Sequence, residues 1–169
     1  MSIEQVLFYA FGVLTLVSAG LVVFARNPIN SAMSLVATFF FLAGLYVLLW
    51  AHTVAVLQVL VYAGAIMVLF LFVIMLLNLG EAAVGGPRLS ASRALGGLAA
   101  LGVFAVLAVA LSRLELVAAP LSGERAATFG TLASLGMRIY TQWLLPFEAT
   151  SLLLLVAMVG AVVVAKSRI

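Results

Sequence analysis

Few residues in this chain can do chemistry, and those that can are mostly neutral. Gln58 and Tyr62 stand four residues apart inside a long apolar run, a spacing that puts an amide and a phenol on one face of a helix. Together they could order water or bond across helices; they also fit plain polar contacts between packed helices. Gly64 follows, flanked by Ala63 and Ala65. Small residues let helices approach closely, and a glycine lowers the cost of leaving regular helix. One reading is a π-bulge, a feature that favours functional sites. The other is tight packing at Gly64, with Tyr62 bonded to a neighbouring helix. Glu148, just after Pro146, is expected in the first turn of a helix, where the dipole favours a carboxylate. It reads either as a helix-start residue at a membrane surface or as a proton or partner contact. Glu4 and Glu81 lie near helix ends and read as solvated.

Other chemistry is excluded by what the sequence lacks. Cysteine is absent, so the chain can form no disulfide, no thiolate zinc site and no iron–sulfur cluster of its own. His52 is the single histidine, so two histidines cannot hold a haem within this chain. No Asp, Glu, Lys or Arg falls in the middle of an apolar run, whereas pumps and carriers keep such groups at membrane depth. Tyr62 is the titratable group well inside, and a phenol is a poor proton carrier near neutrality. No catalytic residue, metal-ligand set or cofactor-binding motif is expected, and the chain is not a complete pump.

The elements that position these residues follow from composition. Of 169 residues, 67% are hydrophobic and only 8% charged, whereas a soluble domain carries about a quarter charged. The apolar residues come in runs of about 18 or more, which read as membrane spans. The expected fold is all-α: a single integral membrane domain of five transmembrane helices over residues 1–169, at about 3–24, 28–50, 54–79, 92–111 and 145–165. Asn27 can cap the second span, and Pro28 suits its first turn. The short turn Ala51-His52-Thr53 makes the second and third spans antiparallel neighbours. From Val54 to Asn78 the third span is roughly 37 Å of helix against about 30 Å of hydrocarbon, so it must tilt, bend or carry an irregular turn.

Span four carries Gly96, Gly97, Ala99, Ala100 and Gly102, a small-residue face suited to packing against another helix of an assembly. Before the last span, Leu132, Leu135, Ile139 and Trp143 recur at helical spacing, with Ser134, Arg138 and Thr141 opposite. That pattern is a short amphipathic helix lying on the membrane surface or docking a partner. The absence of an internal repeat argues against an inverted-repeat transporter. Met1–Gln5 holds an acid and no base, which reads as the start of a retained span rather than a signal peptide. The net charge of +3 is scattered without a cluster, so membrane lipid is an expected partner and nucleic acid is not.

Val61-Tyr62-Ala63-Gly64-Ala65-Ile66-Met67-Val68-Leu69-Phe70, followed by Phe72-Val73 and Met75 to Gly80, resembles the signature of one family. It is similar to the J-type membrane subunits of bacterial NADH:quinone oxidoreductase (respiratory complex I), whose mitochondrial counterpart is ND subunit six. Arg26 to Ala32 is similar to the family's first loop, and Leu145-Pro146-Phe147-Glu148 to the start of its last span. The resemblance covers Arg26–Leu79 and Gly130–Ala165. It implies a five-span, non-catalytic subunit between the quinone-site part of the membrane arm and the antiporter-like pumping subunits. It also implies a π-bulge near Tyr62 that switches to regular helix and gates a water path between quinone chemistry and proton channels. NADH, FMN, iron–sulfur clusters and quinone would be bound by other subunits. Several relatives have Glu in place of Gln58; a neutral amide cannot relay protons, so water ordering is what remains for this position. A related subunit of a multisubunit cation/proton antiporter or membrane-bound hydrogenase is the alternative; co-purified flavin and iron–sulfur subunits would support a dehydrogenase, and their absence an antiporter. A membrane assembly factor, substoichiometric on purification, is a third.

Orientation follows from basic residues in short loops. Arg26, Arg88, Arg93, Lys166 and Arg168 fall on one side of a five-span chain. The expected placement is the cell inner membrane, N-terminus outside and C-terminus cytoplasmic. Cysteines at Ser90 and Ser167 are then shielded from an impermeant thiol reagent applied outside, and one at Ser122 reacts where partners leave that loop uncovered. Labelling of Ser167→Cys from outside would overturn this orientation.

Overall fold

A computed structural model describes residues 2–77, 91–113 and 128–166, with backbone only for Ala91–Ala94. Asn78, the loop through Gly85-Gly86-Pro87 and Arg88, the stretch with Glu115, Glu124 and Arg125, and Arg168 lie outside the described residues. Among the described residues the chain is helical with no strand. Five helices are long and apolar enough to cross a membrane: Ile3–Phe24, Pro28–Leu48, His52–Leu76, Leu95–Arg113 and Leu144–Ala165. We label α1 (Ile3–Phe24), α2 (Pro28–Leu48), α3 (His52–Leu57), α4 (Met67–Leu76), α5 (Ala91–Arg113), α6 (Leu132–Thr141) and α7 (Leu144–Ala165). A π-helical segment, Gln58–Ile66, joins α3 to α4 within the third span.

α1 and α2 form the tightest pair, joined through Ala25-Arg26-Asn27. The Asn27 side chain accepts from the Ile29 N–H at 2.9 Å, and Pro28 sits at the first helical position. The Ser31 hydroxyl donates back to the Val22 carbonyl at 2.6 Å, tying the turn. Farther in, the Thr38 hydroxyl donates to Ser18 at 3.0 Å, and Ser18 donates to the Leu14 carbonyl at 2.8 Å. These buried hydroxyls are satisfied, as an apolar setting requires. Near the other end, Gly44 faces Phe11 so closely that a Cβ would stand 2.5 Å from its ring.

The second span ends at Leu48, two residues earlier than its apolar run suggests. The Ala51 N–H reaches the Tyr46 carbonyl at 2.9 Å and the Trp50 N–H reaches Val47 at 3.0 Å, the bond pair of a Schellman motif. Trp50 holds the left-handed position, φ +61°, where glycine is usual. Without that glycine the stop is hard to see in the sequence. The third span therefore starts at His52 rather than Val54, and α2 packs on α3, on the π segment and on α4. Ala32, Met67 and Ile74 form a buried cluster, with Leu35, Val36, Phe39 and Leu71 around it.

α5 and α7 differ from this three-span core. Every side chain described in α5 from Leu95 onward, and every one in α7, is exposed within the chain. A Cβ at Gly96, Gly97 or Gly102 would meet nothing within 4 Å, so the small-residue face of α5 has no packing partner among the described residues. Between bare helices in lipid, close packing and polar contacts drive association. Expressed without partner subunits, the chain should be degraded or aggregate in detergent. A monodisperse, protease-resistant monomer on gel filtration would contradict that.

Candidate functional site

Gln58, Tyr62 and Gly64 all fall on the π-helical segment, and Glu148 on α7. In a π-helix each N–H bonds five residues back instead of four. The Met67 N–H meets the Tyr62 carbonyl in this way. The consequence shows in which residues face α2. Ala55 and Gln58 are buried, Ala63 and Gly64 are half-buried, then Met67 is buried, Leu71 half-buried and Ile74 buried. The inward steps are three or four residues except between Gln58 and Ala63, where the step is five. An uninterrupted α-helix puts residue 62 above residue 58. Here the π turn brings Ala63 and Gly64 inward and turns Tyr62 partly aside.

Gln58 is 7% exposed and Tyr62 48% exposed within the chain. Their spacing suggested a shared face, but the structure does not join them: no hydrogen bond links amide to hydroxyl among the described residues. The Tyr62 ring leans on Phe39 of α2, centroids 5.6 Å apart and planes at 59°. A Cβ on Gly64 would stand 3.3 Å from the Val59 carbonyl oxygen, five residues back. That is tighter than ordinary contact, so Gly64 leaves room for the very carbonyl that a π turn brings near.

Glu148 does not sit in a first helical turn. α7 begins at Leu144, with Trp143 as its N-cap, and its first turn holds no acidic residue. The helix starts before Pro146 because proline is tolerated in an opening turn, so Glu148 lies a residue beyond the reach assigned to it. Its side chain is exposed and makes no ion pair or hydrogen bond with the third span among the described residues. The amphipathic helix is present as Leu132–Thr141, capped by the Thr131 hydroxyl, which accepts from the Ser134 N–H at 3.3 Å. Trp143 falls outside it: the Gln142 and Trp143 N–H groups both close on the Arg138 carbonyl, at 2.9 and 3.1 Å, and α7 starts at once.

Sequence reasoning missed a clamp at the start of the third span. The Gly130 carbonyl accepts from both the Thr53 N–H, at 3.1 Å, and the Thr53 hydroxyl, at 2.7 Å. Gly130 has φ +71°, and a Cβ there would overlap the Trp50 carbonyl. The segment before α6 is thus pinned on the α2–α3 turn, 77 residues away in sequence. In a five-span chain both segments must lie on the same side of the bilayer, and this contact requires that they do. Gly130 just ahead of a capping Thr131 was the one available signal.

The three-span core, the exposed described side chains of α5 and α7 and the irregular third span define a class: a multi-pass helical membrane protein. Residues 18–164 match the family model of NADH-ubiquinone/plastoquinone oxidoreductase chain 6. The chain is 42% identical to NADH-quinone oxidoreductase subunit J of Rhodobacter capsulatus over 159 residues, 92% of this chain and 78% of that one. It is 45% identical to NADH-quinone oxidoreductase subunit 10 of Thermus thermophilus over 150 residues, 88% of this chain and 82% of that one. It is 43% identical to the chloroplastic NAD(P)H-quinone oxidoreductase subunit 6 of Nephroselmis olivacea over 146 residues, 86% of this chain and 82% of that one. The chain belongs to the chain 6 (subunit J) family of NADH-quinone oxidoreductase membrane subunits.

The clamp yields a direct test. Gly130→Ala forces an L side chain into a left-handed position against a carbonyl, a strain of about 1–3 kcal/mol. It should release the segment ahead of α6, raising thiol reactivity of a Ser134→Cys probe in the assembled complex. Gly136→Ala, where a Cβ would meet nothing within 4 Å, should leave that reactivity unchanged. Equal reactivity in both variants would show that the Thr53–Gly130 contact carries no stability.

Proposed function

We propose that this chain is a non-catalytic subunit of a proton-translocating NADH:quinone oxidoreductase in the cell inner membrane, coupling quinone reduction to proton pumping through a hinge in its third span. The observation that carries the reading is the π-helical segment Gln58–Ile66, which contains Gln58, Tyr62 and Gly64. Membership in a family whose relatives are named as subunits of this oxidoreductase supports the setting. NADH, FMN, the iron–sulfur clusters and the quinone are held by other subunits. The neighbours are the quinone-site subunit and the antiporter-like subunits, and the N-terminus faces outward. Glu148, exposed on α7, is available to a partner.

A hinge needs two backbone arrangements close in energy. Both the π and the α form satisfy backbone N–H and C=O groups, so neither strands polar groups in lipid. Losing the bulge shifts the register of α4 by one residue, a rotation of about 100° against α3. Met67 and Ile74 then leave the site beside Ala32, and Ile66 and Val73 approach it, while Tyr62 swings inward over Gln58. Such a move opens or closes space for water between the Gln58 amide and the Tyr62 hydroxyl. The third span can thereby gate a proton path without carrying a proton on a charged group.

Two experiments test this. In assembled complexes, a Cys pair at Ala32 and Met67 should cross-link at rest, and a pair at Ala32 and Ile66 should gain cross-linking during turnover. Gly64→Val adds a β-branched side chain beside the Val59 carbonyl, stiff at χ1. It should leave NADH oxidation by an artificial acceptor intact and lower quinone-linked turnover, pumping or both severalfold, with Tyr62→Phe milder. Normal pumping in a fully assembled Gly64→Val complex would leave a purely structural subunit.

A further inference from the structure

The clamp between Thr53 and Gly130 builds a groove that the hinge does not use. It is an open space of about 620 Å³ between α6 and the α2–α3 turn, within the size range of ligand sites. Its walls are of two kinds. Ala51, Val54, Phe129 and Leu135 are apolar, Thr128, Ser134 and Arg138 are polar, and Gly130 adds backbone. The Arg138 side chain is exposed and makes no ion pair or hydrogen bond among the described residues. Glu148, on the adjoining helix, does not pair with it.

The groove's depth in the bilayer is readable from its surroundings. Ala51 and Val54 mark the end of the second span and the start of the third. Trp50 precedes Ala51 in the chain, and Tyr140 and Trp143 follow Arg138 by two and five residues; each is well exposed within the chain, and such aromatic residues mark the headgroup level. α6 is a short amphipathic helix whose Leu132, Met137 and Tyr140 are exposed, as suits a helix lying in the interface. An unpaired guanidinium beside apolar walls at this depth has one abundant complement. We propose that this groove binds an anionic phospholipid, with Arg138 on the phosphate and the first acyl carbons against Val54 and Leu135.

Arg suits the task, because its planar fork bonds two phosphate oxygens at once. Ser134 cannot serve as freely, since its hydroxyl already donates to the Thr131 carbonyl at 2.9 Å. The lipid would fill the space behind the clamp and hold α6 against the third span's start. This role stands whether or not the third span is a hinge.

The test uses the assembled complex. A photoreactive p-benzoylphenylalanine at Leu135 should, on illumination, capture phospholipid, and Arg138→Gln should abolish that adduct. Capture of a neighbouring subunit instead would mean that a protein fills the groove, overturning the proposal. After detergent stripping, native mass spectrometry should show phosphatidylglycerol retained about five-fold more strongly than phosphatidylcholine, whose choline offsets its own phosphate, as suits one exposed ion pair. Arg138→Gln should erase the preference. If that variant fails to assemble, Ser134→Phe fills the groove with Arg138 in place and should lose the lipid equally. Equal retention of both lipids by the wild type, or saturation of Arg138 by inorganic phosphate at the same concentration, would overturn it.

Discussion

Every backbone N–H and C=O within the hydrocarbon must find a partner inside the protein, because lipid supplies none. The architecture depends on that constraint, and it is why the third span can be irregular without being broken. A π turn keeps the ladder closed while inserting one extra residue. Met67 bonds to the Tyr62 carbonyl, so the chain stays satisfied while its side chains change register. The hydroxyls obey the same rule. Thr38, Ser18 and Ser31 all hand their protons to oxygen atoms within α1 and α2.

Register, rather than charge, is what the third span has to work with. A five-residue step between Gln58 and Ala63 decides that two small residues face α2 and that the phenol is turned aside. Gly64 matters through the Val59 carbonyl beside it, and Phe39 through the Tyr62 ring it supports. The cluster of Ala32, Met67 and Ile74 ties this register to the second span. A change in backbone hydrogen bonding at Tyr62 would therefore be felt a full turn or more away. Packed cores switch between discrete arrangements rather than deforming smoothly.

The two ends of the chain's architecture divide its labour. The first three spans pack on one another, and the segment ahead of α6 clamps their turn. α5 and α7 expose their whole described surfaces. Among the described residues the packed core is made by the first three spans, and the described side chains of α5 and α7 lie outside it. That division suits membership in a family of oxidoreductase membrane subunits.

Much was legible in the sequence, because the bilayer makes span-forming composition nearly unambiguous. Runs of apolar residues placed five spans, Asn27-Pro28 marked a helix start, and the spacing of Leu132, Leu135 and Ile139 marked α6. The block around Tyr62 pointed to the family, while its glycine and excess length left an irregular turn as one of several readings. Three things were decided only by tertiary structure. Helix α2 stops at Leu48 because Trp50 adopts a left-handed conformation that local sequence does not favour. Gln58 and Tyr62 fail to share a face equally because one inserted residue alters the angle that α-helical spacing assumes. Thr53 and Gly130 meet because the fold closes a distance of 77 residues. Composition and periodicity report what each segment does with lipid; they carry no record of which distant carbonyl a hydroxyl will find.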